Sequence, residues 1–104
     1  MNSEHKKMLE YLENAVINAV IDDNEDRIDF KLTGHSFNTF DNTLYPEFLA
    51  IVPSSSLTDS YGYSGYNYIR NGIHSTLEKY NSLFFNNYFT FLVANIKIKI
   101  NPQV

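Results

Sequence analysis

The chain has no cysteine and no tryptophan, and only 4 glycines and 3 prolines in 104 residues. Without cysteine there is no disulfide framework, no thiol nucleophile and no zinc–thiolate site, which suits a reducing compartment. No apolar run reaches the roughly 18–20 residues of a membrane span. The nearest, Leu83 to Ile100, is broken by Asn86, Asn87, Asn95, Lys97 and Lys99. The opening Met-Asn-Ser-Glu-His-Lys-Lys leads into a polar amphipathic stretch without the apolar core of a signal peptide, so the expected location is cytoplasmic. Positive charge is scarce too: 8 Lys and Arg against 12 Asp and Glu leave a net charge of −4. Duplex DNA or RNA is therefore not an expected partner, since that affinity comes largely from Lys and Arg neutralising phosphates. No HExxH, P-loop or GxGxxG occurs. The acidic run Asp22-Asp23-Asn24-Glu25-Asp26 lacks the glycine that an EF-hand loop needs at its sharp turn. Neither a metal nor an organic cofactor is expected.

What is present makes a globular chain. Hydrophobic residues are 43% and aromatics 15% of the whole, enough for a core that folds without metal or disulfide, and the length is that of one domain spanning 1–104. The richness in Asn, Ile, Tyr and Phe is the bias of an AT-rich coding sequence, as in phage, plasmid or low-GC bacterial genes.

Residues 4–21 read as an amphipathic helix. Met8, Leu9, Leu12, Ala15, Val16, Ala19 and Val20 recur at three- and four-residue spacing, widened by Ile17 and Ile21, and Ser3 is a candidate N-cap. Residues 27–33 alternate as a strand with Ile28, Phe30 and Leu32 inward, and Gly34 marks a turn or bulge. His35 to Phe40 continue extended with Phe37 and Phe40 as anchors, and Asp41-Asn42-Thr43 is a turn signal. Phe48 to Val52, stopped by Pro53, suits a strand buried on both faces. The spacing predicts a helix over about 66–82, broken at Gly72, with a hairpin turning at Asn71-Gly72 as the alternative. Leu83 to Ile100 reads as a long final strand around which the chain is organised. Its apolar parity shifts near Ala94-Asn95, where a bulge or a break between strands is expected. The fold class expected is α+β: a single domain with an N-terminal amphipathic helix and a second helix packed on a mainly antiparallel sheet of three to five strands.

Two stretches stand out for function. The acids Asp22, Asp23, Glu25 and Asp26 fall together and suit a basic partner surface. Residues 53–72 hold Tyr61, Tyr63, Tyr66 and Tyr68, with Ser and Gly between them and Arg70 as the single cation. Tyrosine supplies large, rigid contact area with a hydroxyl while Ser and Gly adapt around it, the composition of recognition loops. Together they point to a small acidic inhibitor that binds another protein by occluding a basic surface: an immunity protein to a toxic nuclease, an antitoxin-like protein or a phage anti-defence protein. The expected partner is a basic nuclease or a host defence protein, with no membrane role. The rival reading is a metal-independent RNase or phosphodiesterase using His35 and His74 as acid and base. His74-Ser75-Thr76-Leu77 resembles one half of the two-histidine phosphodiesterase pattern. That family needs a second such motif, and His35-Ser36-Phe37-Asn38 carries Phe where the hydroxyl should be. A self-assembling subunit with its C-terminal strand as the open edge is the third reading, opposed by the edge-guarding charges Lys97 and Lys99.

Overall fold

The computed structural model describes residues 3–23, 28–53 and 64–101, the side chains of residues 23 and 64–66 apart. The N-terminal helix forms where its spacing predicts, as α1 (Ser3–Tyr11), a π-helical turn (Leu12–Val16) and α2 (Ile17–Asp23). The three pieces run on without a break, because Tyr11 and Ile17 both keep right-handed helical dihedrals. In the π turn the Ile17 N–H donates to the Leu12 carbonyl, five residues back, so one extra residue is accommodated. Leu9, Leu12, Val16, Ile17 and Val20 then share the core, whereas Ala15, expected on that face, is exposed.

Strands β1 (Asp29–Asn38) and β2 (Thr43–Pro53) form an antiparallel hairpin. Register slips between Leu32 and Gly34, which makes Thr33 the bulged residue, and its hydroxyl donates to the Glu47 carbonyl at 3.1 Å. A side chain at Gly34 would crowd the Glu47 carboxylate, 3.1 Å from where its Cβ would sit. Pro46 is tolerated in the central strand for a reason of parity. The Leu44 carbonyl points away from β1, to the Thr90 N–H at 2.8 Å, so the backbone of Pro46 points that way too. Pairing with the third strand begins only at Phe48, and the missing N–H interrupts no ladder.

Helix α3 (Ser64–Phe84) settles the helix-or-hairpin alternative in favour of helix, unbroken through Gly72. It buries Ile73, Leu77 and Asn81, spaced by four. As the crossover it returns the chain for β3 (Ile96–Asn101) to pair parallel with β2. The order is β1-β2-β3, so the sheet is mixed, with one antiparallel and one parallel pairing, and not mainly antiparallel. The long final strand is corrected as well. Leu83 and Phe84 end α3 and are exposed, Phe89 makes an isolated bridge to Leu44, and a 3-10 turn (Val93–Asn95) precedes β3. The parity shift near Ala94-Asn95 is thus a break before a short strand.

The inner face of the sheet carries Phe30, Leu44, Phe48, Ala50, Val52 and Ile96 beneath the helices, with Phe85, Phe89 and Phe91 filling in from the irregular segment after α3. Phe48 lies at the centre, stacked on Phe30 at 5.0 Å and 6.0 Å from Phe91. The outer face leaves Lys31, Lys97 and Lys99 exposed and Leu49 and Ile51 half-buried, so β2 is buried on one face and not on both. Phe37 and Phe40 are also not core anchors: Phe37 is 39% exposed at the end of β1, and Phe40 in the turn beyond it is fully so.

Candidate interaction site

The hairpin tip, residues 39–42, is built by its own side chains. Asn38 Oδ1 accepts the Phe40 N–H at 2.8 Å, and the Asn38 carbonyl accepts the Asn42 N–H at 2.8 Å. Asn42 sits at φ 60°, a left-handed conformation that Asn tolerates better than most residues. Asp41 Oδ1 accepts the Thr43 amide at 3.3 Å and the Thr43 hydroxyl at 2.9 Å, while Asp41 Oδ2 accepts the Tyr45 hydroxyl. Since Thr43 spends its only hydroxyl proton on Asp41, the Thr90 hydroxyl must be the donor in the 2.9 Å contact between the two threonines. The tip is thereby fastened to the segment 89–91.

The side chains of Asn38 and Asp41 bond within the hairpin, and the Phe40 ring is left wholly in solvent. Beside it a concave surface of about 440 Å³ is lined by Ser36, Phe37, Asn38, Thr39, Phe40 and Tyr45. His5 of α1 stacks near Phe37, 4.7 Å between ring centroids, and stands 6.2 Å from Tyr88. Burial, and then the Glu4 carboxylate, push the Tyr88 phenol pKa up.

The phenol of Tyr45 holds the Asp41 carboxyl below its ordinary pKa; desolvation works the other way and the Thr43 hydroxyl and amide add to the lowering. A lowered folded pKa means that the carboxylate's contribution is complete above the unfolded value and is lost as pH falls through the folded one. The Tyr45 ring resonances should accordingly hold steady through neutral pH and move only in acid, below about pH 4. Asp41→Asn should abolish that transition; a Tyr45 shift that titrates near neutrality would instead tie the ring to a histidine.

A second concavity, about 370 Å³, lies between α3 and the segment after it, lined by His74, Glu78, Asn81, Asn87, Phe89, Thr90 and Phe91. His74 Nε2 donates to the Phe91 carbonyl at 2.6 Å and stands 3.9 Å from Glu78 Oε1. Asn81 is buried and pairs with Phe89 at both ends of its amide, donating to the carbonyl at 2.8 Å and accepting the N–H at 3.2 Å. Its own backbone carbonyl also accepts the N–H groups of Phe85 and Asn87. His74 and Asn81 therefore act as a substitute strand edge for residues 89–91, which are held on the other side by Leu44. In this arrangement His74 fastens backbone, and only Nδ1 remains for proton transfer. His35 sits on β1 opposite Pro46, with β2 between it and the Phe89 segment, and is not part of that cleft.

The other residues singled out by sequence fall as follows. Asp22 is exposed near the end of α2, and Asp23 is its last residue, with its side chain outside the description. Glu25, Asp26, Tyr61 and Tyr63 lie outside the described residues, as does the side chain of Tyr66. Tyr66, Tyr68 and Arg70 belong to α3 and not to a loop, with Tyr68 65% exposed. Arg70 Nε donates to the Ile96 carbonyl at 3.0 Å, and Nη1 to Asn67 Oδ1 at 3.1 Å. In the parallel ladder, Phe48 bonds to the residues either side of Ile96, so the Ile96 carbonyl points to the open edge. Arg70 thus covers the start of that edge.

Among the described residues no group of three or more His, Asp or Glu is placed to hold a metal, and no helix is long and apolar enough to cross a membrane. Sequence reasoning missed Phe40, taken for an anchor, and Asn81, whose signal was a lone amide continuing the Ile73, Leu77 stripe. Compared with protein-family models, curated proteins and solved structures, the chain matches none of them.

Proposed function

We propose that this chain is a protein-binding module that inhibits by occlusion, of the immunity-protein, antitoxin or anti-defence kind, and that the hairpin tip is its leading contact. The observation that carries the reading is Phe40, a fully exposed ring on a turn held in place by the Asn38 and Asp41 side chains. A ring in water contributes nothing to folding, whereas the same ring in a partner's pocket is the kind of aromatic anchor that dominates interfaces. The turn is ordered before binding, so little entropy remains to be lost when it docks. The net charge of −4 and the exposed Asp22 supply long-range attraction to a basic surface.

The test is a tagged pull-down from the source organism's lysate followed by calorimetry on the partner it recovers. Phe40→Ala should leave the melting temperature unchanged and weaken binding by about 2–4 kcal/mol, the range of an interface anchor. Charge reversal at Asp22, Asp23 and Asp26 should slow association and flatten its salt dependence. A partner bound equally well by Phe40→Ala would sink the assignment of the tip, and unchanged kinetics after charge reversal would remove its electrostatic half.

A further inference from the structure

Resting on that reading, we infer that the tip is recognised as a Phe–Asp pair: the partner holds the Phe40 ring in an apolar pocket whose rim carries an Arg or Lys facing the Asp41 carboxylate. Asp41 follows Phe40 in the turn and is itself exposed, so a partner that closes over the ring must also cover the carboxylate. In the free protein that carboxylate is met by neutral donors, among them the Thr43 amide and hydroxyl and the Tyr45 phenol, and no cation pairs with it among the described residues. Those donors keep it ionised and fix its direction.

In water the charge is hydrated at no cost. Under an interface the hydration is lost, and a carboxylate without a counter-charge is strongly unfavourable there. The hydrogen bonds that reach it within the hairpin come from neutral groups, so a partner's cationic N–H would add the counter-charge that they do not supply. A pocket that is apolar throughout would gain from Phe40 and lose more from Asp41. An anionic lipid surface is disfavoured for the same reason. A guanidinium or ammonium on the rim resolves the conflict and gives the contact its specificity.

The experiment places the photocrosslinker p-benzoylphenylalanine at position 40 of the full chain, with a second protein carrying it at position 68, and maps the crosslinked peptides after irradiation in the source lysate. A crosslink from position 40 to a single protein, at apolar residues with an Arg or Lys beside them, is expected. Asp41→Asn, which keeps an acceptor for Thr43, should weaken binding to that protein at least about tenfold and reduce its salt dependence. Reversing the mapped cation to Glu should abolish binding, and Asp41→Arg should restore it, an outcome that a merely loosened turn cannot give.

The inference fails if Asp41→Asn binds as the parent does, or if the mapped site has no cation. It also fails if position 40 crosslinks only to a second copy of this chain, or inserts into phosphatidylcholine–phosphatidylserine vesicles instead. A specific crosslink from position 68 with none from position 40 would overturn the tip and leave the binding module standing. No specific crosslink from either position would overturn both.

Discussion

Asn81→Ala should destabilise the domain by about 2–4 kcal/mol, well beyond the loss of an ordinary surface amide. The side chain is 3% exposed and closes two hydrogen bonds to one residue, the N–H and carbonyl of Phe89. Removing it leaves both backbone groups without a partner at a buried position, and each such loss costs about 1–3 kcal/mol before water relieves it. The neighbouring cleft lets water in from one side, which keeps the sum below its upper limit. Urea unfolding measures the loss, and hydrogen exchange at the Phe89 amide locates it. A cost below about 0.5 kcal/mol, the scale of a surface change, would mean that residues 89–91 are held by the Leu44 side alone. Asn81→Asp separates the two bonds further: it keeps the acceptor, loses the donor and buries a charge, so it should be worse than Ala at neutral pH and recover in acid.

The consequence reaches the tip. Thr90 lies in the segment that Asn81 holds and donates to Thr43, which in turn holds Asp41. Three links connect a buried helix residue to the turn that displays Phe40. Asn81→Ala should therefore loosen the hairpin base in the still-folded fraction.

How far the sequence could be read depended on the kind of signal. Ile28, just before β1, and Phe30 within it are buried as their alternation suggested, and the turn or bulge expected at Gly34 is the bulge now seen at Thr33. The helix over residues 3–23 was equally plain, because a 3.6-residue stripe of aliphatics has few other uses. Leu83 to Ile100 misled because aromatic content does not report backbone pairing. Phe85, Phe89 and Phe91 reach the core from an irregular segment in which the backbone of Phe89 and Phe91 is met by Asn81 and His74, two side chains of the preceding helix. Strand direction was hidden for a similar reason. The parallel return of β3 follows from where α3 leaves the chain, which no property of Ile96–Ile100 records.

The candidate site was legible only in part. Size, charge and missing signatures suggested a binding protein, with tyrosines and acids grouped in sequence as its expected contacts. Phe40 stood in the sequence as one more apolar anchor, since the rule that core residues are apolar does not run backwards.

Two phenylalanines put that asymmetry to the test. Phe48→Ala should cost about 3–5 kcal/mol, whereas Phe40→Ala should stay within about 0.5 kcal/mol of the parent. Phe48 is 1% exposed on the central strand, opposite Leu32 on one side and Ile96 on the other, and its ring touches those of Phe30 and Phe91. Truncation opens a cavity beneath both helices, and β2 cannot collapse into it while paired on both edges. Against a total stability of roughly 5–15 kcal/mol, that loss is a large fraction. Phe48→Leu, which retains most of the volume, gives a measurable intermediate if the alanine variant does not fold. Chemical denaturation of the three variants should rank them Phe48→Ala, Phe48→Leu, Phe40→Ala in order of decreasing damage. Equal costs for the two alanine variants would mean that the inner face of the sheet is not the core, and Phe40 would then have no claim to be a ring held out for a partner.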